Sequence, residues 1–174
     1  MAIDLHIHSN YSDGTVPAAD LPLMAAEKAL KAIALTDHDT TAGIAEFTAQ
    51  QSRCPDTELI AGVELSTLHG ARELHIVGLF IDPQNAELQS FMKIMQQGRI
   101  QRASEMIEKL KSLNYTVTWD DLYEAGATVD VPGRPHFARV LVKKYKPLLV
   151  NIRLIMIYIK MHLMLEDKLY MAQM

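Results

Sequence analysis

Cysteine is nearly missing from this chain of 174 residues: Cys54 stands alone. That excludes an intramolecular disulfide framework and any cysteine-rich zinc module. A single free thiol fits a reducing compartment. A basic excess is missing as well. The formal net charge is −4 and the pI about 5.9. This excludes a general duplex-DNA or RNA surface. The start, Met1-Ala2-Ile3-Asp4-Leu5-His6, has neither the charged segment nor the apolar core of a secretory signal. A cytoplasmic protein is therefore expected. No internal repeat is visible, and no low-complexity linker marks a boundary.

Glycine is absent after Gly133, and the charge balance changes near the same place. Residues 1–142 carry a net −8, whereas residues 143–174 carry +4 and five of the ten methionines. A run from Leu148 to Met161 is apolar nearly all round, without a helical stripe. Arg153, Lys160 and His162 interrupt it. Each charge costs about 2.5–3.5 kcal/mol at a bilayer centre, so no membrane span is expected. Residues 145–174 read as an atypical apolar tail, buried as a helix or prone to aggregate as a strand.

What is present is a chain that is 49% hydrophobic and 22% charged. It is long enough to bury a core as one domain. Strand patterns fall at residues 2–7, 31–36, 58–64 and 73–80. Helical patterns fall between them at 17–30 and 40–51, with Thr40 or Thr41 as the N-cap. This alternation predicts an α/β fold built on a parallel sheet or barrel. Helices then follow alone: one long or broken helix over 85–113, and shorter ones over 119–125 and 135–144. The expected division is a β/α barrel part over 1–84, a helical insertion over 85–144 and the tail.

Ionisable residues gather at the strand ends. His6-Ile7-His8 places two imidazoles on one face of a strand, where they can share a metal. Asp13 follows in a Ser12-Asp13-Gly14 turn. Thr36-Asp37-His38-Asp39 and Gly62-Val63-Glu64 each close a strand, and His75 interrupts an apolar one. In parallel α/β folds the carboxyl ends of strands carry the site. Singly, each has an ordinary reading as a turn or core residue. Together, six imidazoles and carboxylates at successive strand ends point to zinc, manganese or iron. Six groups exceed the needs of one ion. A multinuclear centre sharing a carboxylate is expected, and such centres hydrolyse phosphate esters.

In order and spacing, Asp4-Leu5-His6-Ile7-His8-Ser9, Ser12-Asp13-Gly14, Leu35-Thr36-Asp37-His38-Asp39, Gly62-Val63-Glu64 and His75-Ile76-Val77-Gly78 resemble the PHP (polymerase and histidinol phosphatase) metal-dependent phosphoesterases. The likeness runs over roughly residues 2–142. Gly133-Arg134-Pro135-His136-Phe137-Ala138-Arg139 further resembles the stand-alone bacterial branch. That branch holds 3′,5′-nucleoside bisphosphate phosphatases and a 5′→3′ exoribonuclease of short RNA. The resemblance implies a distorted seven-stranded β/α barrel, a helical insertion over the site, and two or three divalent ions. It implies that His6, His8 and Glu64 hold one ion, that Glu64 bridges to a second with His75, and that Asp13 and His38 hold a third. Hydroxide held by the metals would attack phosphorus in line. Arg99, Arg102, Arg134 and His136 would bind phosphate, as guanidinium suits its oxygens. Asp37 and Asp39 would orient His38. The expected partner is a nucleotide or short oligonucleotide. A histidinol-phosphatase-like enzyme and a non-catalytic phosphate-binding relic are the alternatives. His69 and His162 match nothing in the pattern and read as surface or tail residues.

The family pattern goes on to a His-Pro strand end and a Ser-Asp-x-His strand end, and neither occurs here. Each metal position would then lack one ligand. The expectation is a truncated or frameshifted version of a longer enzyme, with unpaired strand edges and weakened metal binding. A short form completed by oligomerising or by a partner chain is the alternative.

Overall fold

In the computed structural model, residues 2–70, 72–128 and 130–145 are described. The expectations placed on 146–174, the apolar tail and His162 among them, lie outside the described residues.

The apolar runs form strands β1 (Ile3–Ile7), β2 (Ala32–Leu35), β3 (Glu58–His69) and β4 (Arg72–Leu79). They make one sheet in the order β1-β2-β3-β4. Between the first three lie α1 (Leu21–Glu27), α2 (Ile44–Thr48) and a short 3₁₀ turn at Gln51–Arg53. Such crossovers permit parallel pairing. Ala32 accordingly aligns with Ile3 on one side and with Glu58 on the other. His38 and Glu64 extend the parallel alignment of β2 and β3 by one bridge.

The sheet departs from the expected parallel arrangement at its last strand. β3 runs on past Glu64 to His69, and β4 returns antiparallel beside it. Two residues separate the strands, and a connection that short joins only antiparallel neighbours. Gly70 takes φ +61° there, a conformation that glycine adopts without strain. The result is a mixed sheet forming part of a barrel. The helices are shorter than expected as well. α1 starts at Leu21, with Pro22 in its first turn. Neither Thr40 nor Thr41 caps α2, whose N-cap is Gly43. The Thr40 hydroxyl instead accepts from the Ala42 N–H in the turn before it.

Alternation along the strands divides the core. Ile33 and Leu35 point to α1 and α2, where they pack with Ala25, Ile44 and Phe47. Ala32, Ala34 and Ile60 point to the opposite face, joined by Leu5 and Leu79. β1 and β4 are the edges of the sheet, and Ile3, Leu74, Ile76 and Phe80 are exposed on or beside them.

α3 (Ala86–Ser112), α4 (Trp119–Glu124) and α5 (Arg134–Tyr145) follow. α3 is unbroken, and its first turn is capped by Asn85, whose side chain accepts from Leu88 N–H at 2.9 Å. Thr118 and Asp121 form a reciprocal capping box on α4. Met106, Leu110, Leu122, Phe137 and Val140 give these helices an apolar cluster of their own. No helix among the described residues is long and apolar enough to cross a membrane.

The loop after β1 is tightly wound. Ser12 and Gly14 both donate to the Ser9 carbonyl, at 3.2 and 3.0 Å. A Cβ on Gly14 would lie 2.4 Å from the His8 carbonyl oxygen. Gly14→Ala must therefore open the turn, at a cost of about 2 kcal/mol. A fall in Tm of roughly 4–8 °C is expected in thermal unfolding.

Candidate metal centre

Glu64 is the point on which the ionisable residues converge. Its backbone is fixed between two neighbours: its N–H donates to Asp37 O at 3.1 Å, and its carbonyl accepts from Asp39 N–H at 3.0 Å. Its side chain is only 6% exposed. Oε2 lies 3.0 Å from His6 Nε2, 3.0 Å from His8 Nε2 and 3.3 Å from His38 Nδ1. Oε1 lies 2.8 Å from His75 Nδ1. His6 of β1 and His8 just beyond its end arrive from one side and His75 of β4 from the other. Asp13 closes the far end, with Oδ1 3.2 Å from His8 Nδ1 and Oδ2 3.7 Å from His38 Nε2.

These six side chains form three overlapping groups: His6, His8 and Glu64; His8, Asp13 and His38; and His38, Glu64 and His75. Within each, the potential ligand atoms lie within 4.8 Å of one another. The donor set fits divalent cations. Three imidazole nitrogens crowd one carboxylate oxygen, more than its lone pairs can serve as ordinary hydrogen-bond acceptors. His38 Nδ1 is buried without a hydrogen-bond partner among the described residues. Nitrogen and oxygen donors without sulfur suit zinc, manganese or iron.

The electrostatics agree with that fit. The hydrogen bond from His8 holds the Asp13 carboxyl down at about 2 against the opposing effect of burial, helped by the charge of His38. Burial, with Arg99 nearby, lowers His38 to about 4, so its ring is neutral at pH 7. Burial would raise Glu64, but His6, His38 and His75 more than offset it and keep the carboxylate ionised. Burial pulls His8 down, yet the Asp13 hydrogen bond and the surrounding carboxylates raise it. A cation at His8 would have to displace that proton.

Asp37 and Asp39 organise backbone and loop, and no hydrogen bond joins either one to the His38 ring. Asp37 is buried and accepts from Ser9 N–H at 2.7 Å and from the Ser9 and Ser12 hydroxyls at 2.5 Å. It thereby holds the turn that carries Asp13. Asp39, at φ +50°, accepts from Ser66 N–H at 2.8 Å and from Arg99 Nε at 2.5 Å.

The four side chains expected to bind phosphate do not share one place. Arg99 is almost buried: beyond Asp39 it donates to Ser66 Oγ at 2.6 Å. It is not on a solvated helix face. Arg102 and Arg134 meet on Glu73, at 3.5 and 2.7 Å, and both remain partly exposed. Glu73 reaches to within 3.5 Å of His75 Nε2. Burial would raise its carboxyl, but Arg134 and Arg102 hold it below the usual range. His136 is wholly buried; its Nδ1 accepts from Gly133 N–H at 3.0 Å, and its Nε2 has no hydrogen-bond partner among the described residues. His69 is exposed at the end of β3.

Sequence reasoning passed over Glu73, Ser66 and Arg139. Glu73 had a signal, because it stands two residues before His75 and so shares its face. Arg139 stood only as the last residue of the Gly133–Arg139 motif, with no role attached: it donates to the Asp13 carbonyl across 126 positions of sequence.

Residues 4–153 match the PHP domain family. A 3′,5′-nucleoside bisphosphate phosphatase of Chromobacterium violaceum is 38% identical over 140 residues, which are 80% of this chain and 49% of that protein. The 5′-3′ exoribonuclease Rnm of Escherichia coli is 38% identical over 144 residues, 80% of this chain and 48% of the relative. The chain thus spans about half the length of the curated relatives it matches. Among solved structures, an amidohydrolase from Chromobacterium violaceum with bound sulfate superposes with a TM-score of 0.80 at 34% identity, over 90% of this chain and 54% of that one. A protein described as a metal-dependent phosphoesterase from Bifidobacterium adolescentis gives 0.74 at 32% identity, over 82% of this chain and 50% of that one. With four imidazoles gathered on one buried carboxylate and a family match over most of its length, the chain belongs to the PHP domain family.

Proposed function

We propose that the chain carries the metal-binding side chains of a phosphoesterase acting on nucleotides. The substrate is a 3′,5′-nucleoside bisphosphate or the 5′ end of a short RNA. The convergence of four imidazoles on the buried Glu64 carboxylate carries this reading. The names of the relatives favour nucleotide phosphates among the phosphate esters open to such a centre.

In this reading His6, His8 and Glu64 hold one divalent ion, His38, Glu64 and His75 a second, and His8, Asp13 and His38 a third. Bound Mn, Zn or Fe supplies Lewis acidity toward the phosphoryl oxygens and makes water more acidic. The protein's own part is preparation. Glu64 and Asp13 stay ionised at neutral pH and His38 stays neutral, so all three present lone pairs. Asp37 and Asp39 fix the turn and the strand end from which those ligands project. Arg102 and Arg134 lie on the His75 side of the centre, each with further N–H groups beyond its contact with Glu73. Arg134 opens α5, where the helix dipole also favours an anion. There a substrate phosphate can take guanidinium hydrogen bonds, while a second phosphate would lie beside the side chains that would hold the ions. Residues 85–144 act as a helical insertion beside the centre, in the cytoplasm.

His8 belongs to two of the three ligand groups, so His8→Ala is expected to abolish phosphate release and to lower bound metal, read by elemental analysis. Unchanged release overturns the ligand assignment. A charge-assisted contact is worth about 2 kcal/mol, so Arg134→Ala is expected to raise KM for a bisphosphorylated nucleotide roughly thirtyfold. KM for a generic aryl phosphate is expected to change little. Equal effects on both would favour a histidinol-phosphatase-like activity on small phosphates. One ion or none per chain, with phosphate binding but no turnover, would favour a non-catalytic phosphate-binding domain.

A further inference from the structure

The helical region reaches the centre at a point that the proposed chemistry leaves unused. α5 packs Phe137, Val140 and Leu141 into its own cluster. Another side of the same helix, bearing His136 and Arg139, lies against the Ser12–Asp13 turn. Arg139 donates from NH2 to the Asp13 carbonyl at 2.7 Å and from NH1 to the Ala125 carbonyl at 3.2 Å. Ala125 is the C-cap of α4. One guanidinium therefore ties the end of a helix to the turn that carries a ligand.

The tie bears on the direction of a side chain. Asp13 lies between two anchored stretches. Before it, Ser9 and Ser12 are held by Asp37, which follows the end of β2. After it, Gly14 is wedged against the His8 backbone. The peptide that follows Asp13 is held at both of its polar groups: Gly14 N–H donates to the Ser9 carbonyl at 3.0 Å and the Asp13 carbonyl accepts from Arg139, so releasing that carbonyl removes one of two restraints on rotation. Rotation there would swing the Asp13 carboxylate away from His8 and His38. A rigid fork with several donors suits a grip on two carbonyls; an ammonium is a single point.

We propose that Arg139 is a positioning residue that fixes Asp13 within the His8, Asp13 and His38 group, and so couples the docking of α5 to cation binding at that one subsite. The inference rests on the ligand reading given above. Arg139 itself touches neither ligand atoms nor substrate in this role.

The test is calorimetric titration of the full chain, stripped of metal, with Mn²⁺ alone. Asp13→Ala is expected to remove one class of Mn²⁺ site. Arg139→Ala is expected to weaken that same class by about tenfold to a hundredfold, the usual cost of losing a group that orients a ligand. The remaining sites should keep their affinity. Arg139→Lys, which can hold one carbonyl but not two, should fall between wild type and Arg139→Ala. Lys143→Ala, one turn further on and paired with Glu124, should bind as wild type does. A merely structural role would lower Tm and leave the Mn²⁺ isotherm of the folded fraction unchanged. If Asp13→Ala loses a site and Arg139→Ala does not, the Arg139 inference falls and the ligand reading stands. If Asp13→Ala binds as wild type does, the ligand reading falls and takes the inference with it. A weakened Lys143→Ala would make the effect a general one of helix packing and would also overturn the inference. Should Arg139→Ala fail to fold by circular dichroism, Arg139→Lys decides: unchanged Mn²⁺ binding overturns the inference, and selective weakening supports it.

Discussion

The structure depends on keeping one carboxylate ionised where little water reaches it. Taking Glu64 out of water disfavours its charge, and only partners that favour the charge make the position tolerable. Four imidazoles meet that need. The demand shapes the sheet around it. β1 must end where two histidines face inward, β2 must lead into His38, and β4 must turn back beside β3 to bring His75 to the other carboxylate oxygen. Parallel pairing of the first three strands gathers their ends, and the tight return at Gly70 supplies the fourth side.

A second layer of buried polar contacts holds this arrangement in place. Asp37 and Asp39 flank His38 in sequence, yet both work on the backbone around it. Asp37 gathers the Ser9–Ser12 turn, and Asp39 ties the end of β3 to α3 through Ser66, Arg99 and Gln96. Buried charges are costly unless fully paired, and these are paired. Arg99, Arg134 and Arg139 reach from the helices to Asp39, Glu73 and Asp13 respectively. The helices rely on their own apolar cluster for cohesion, and polar contacts from the arginines and from Gln89 and Gln96 dock them on the sheet region. Position in the molecule is thus set by directional polar bonds, which fix angle and register as apolar packing alone does not.

The chain covers about half of its curated relatives, and its described sheet has open edges at β1 and β4. Exposed Ile3, Leu74, Ile76 and Phe80 lie on or beside those edges. His8, His38 and Glu64 are each shared between two of the three groups of side chains that could hold an ion, whereas Asp13 belongs to one alone.

By itself the sequence determined the α/β class and the family, and it singled out the six ionisable side chains that the fold brings together, because each is written in short-range spacing. An H-x-H on a strand shares one face through period two, and a carboxylate at the end of an apolar run stands at the mouth of a sheet. The parallel order of the first three strands was legible from the helices between them. The reversal of β4 was less so, since the apolar run of β3 seemed to stop at Glu64 while the strand continues to His69. The roles of the arginines lay beyond sequence reasoning. Arg99 and Arg102 stand three residues apart on one helix, yet one is buried on Asp39 and the other shares Glu73 with Arg134. Arg139 meets Asp13 only after the whole chain has folded back. Only the tertiary structure decided these pairings, because a hydrogen bond between distant residues depends on where the elements dock, and local spacing carries no record of that.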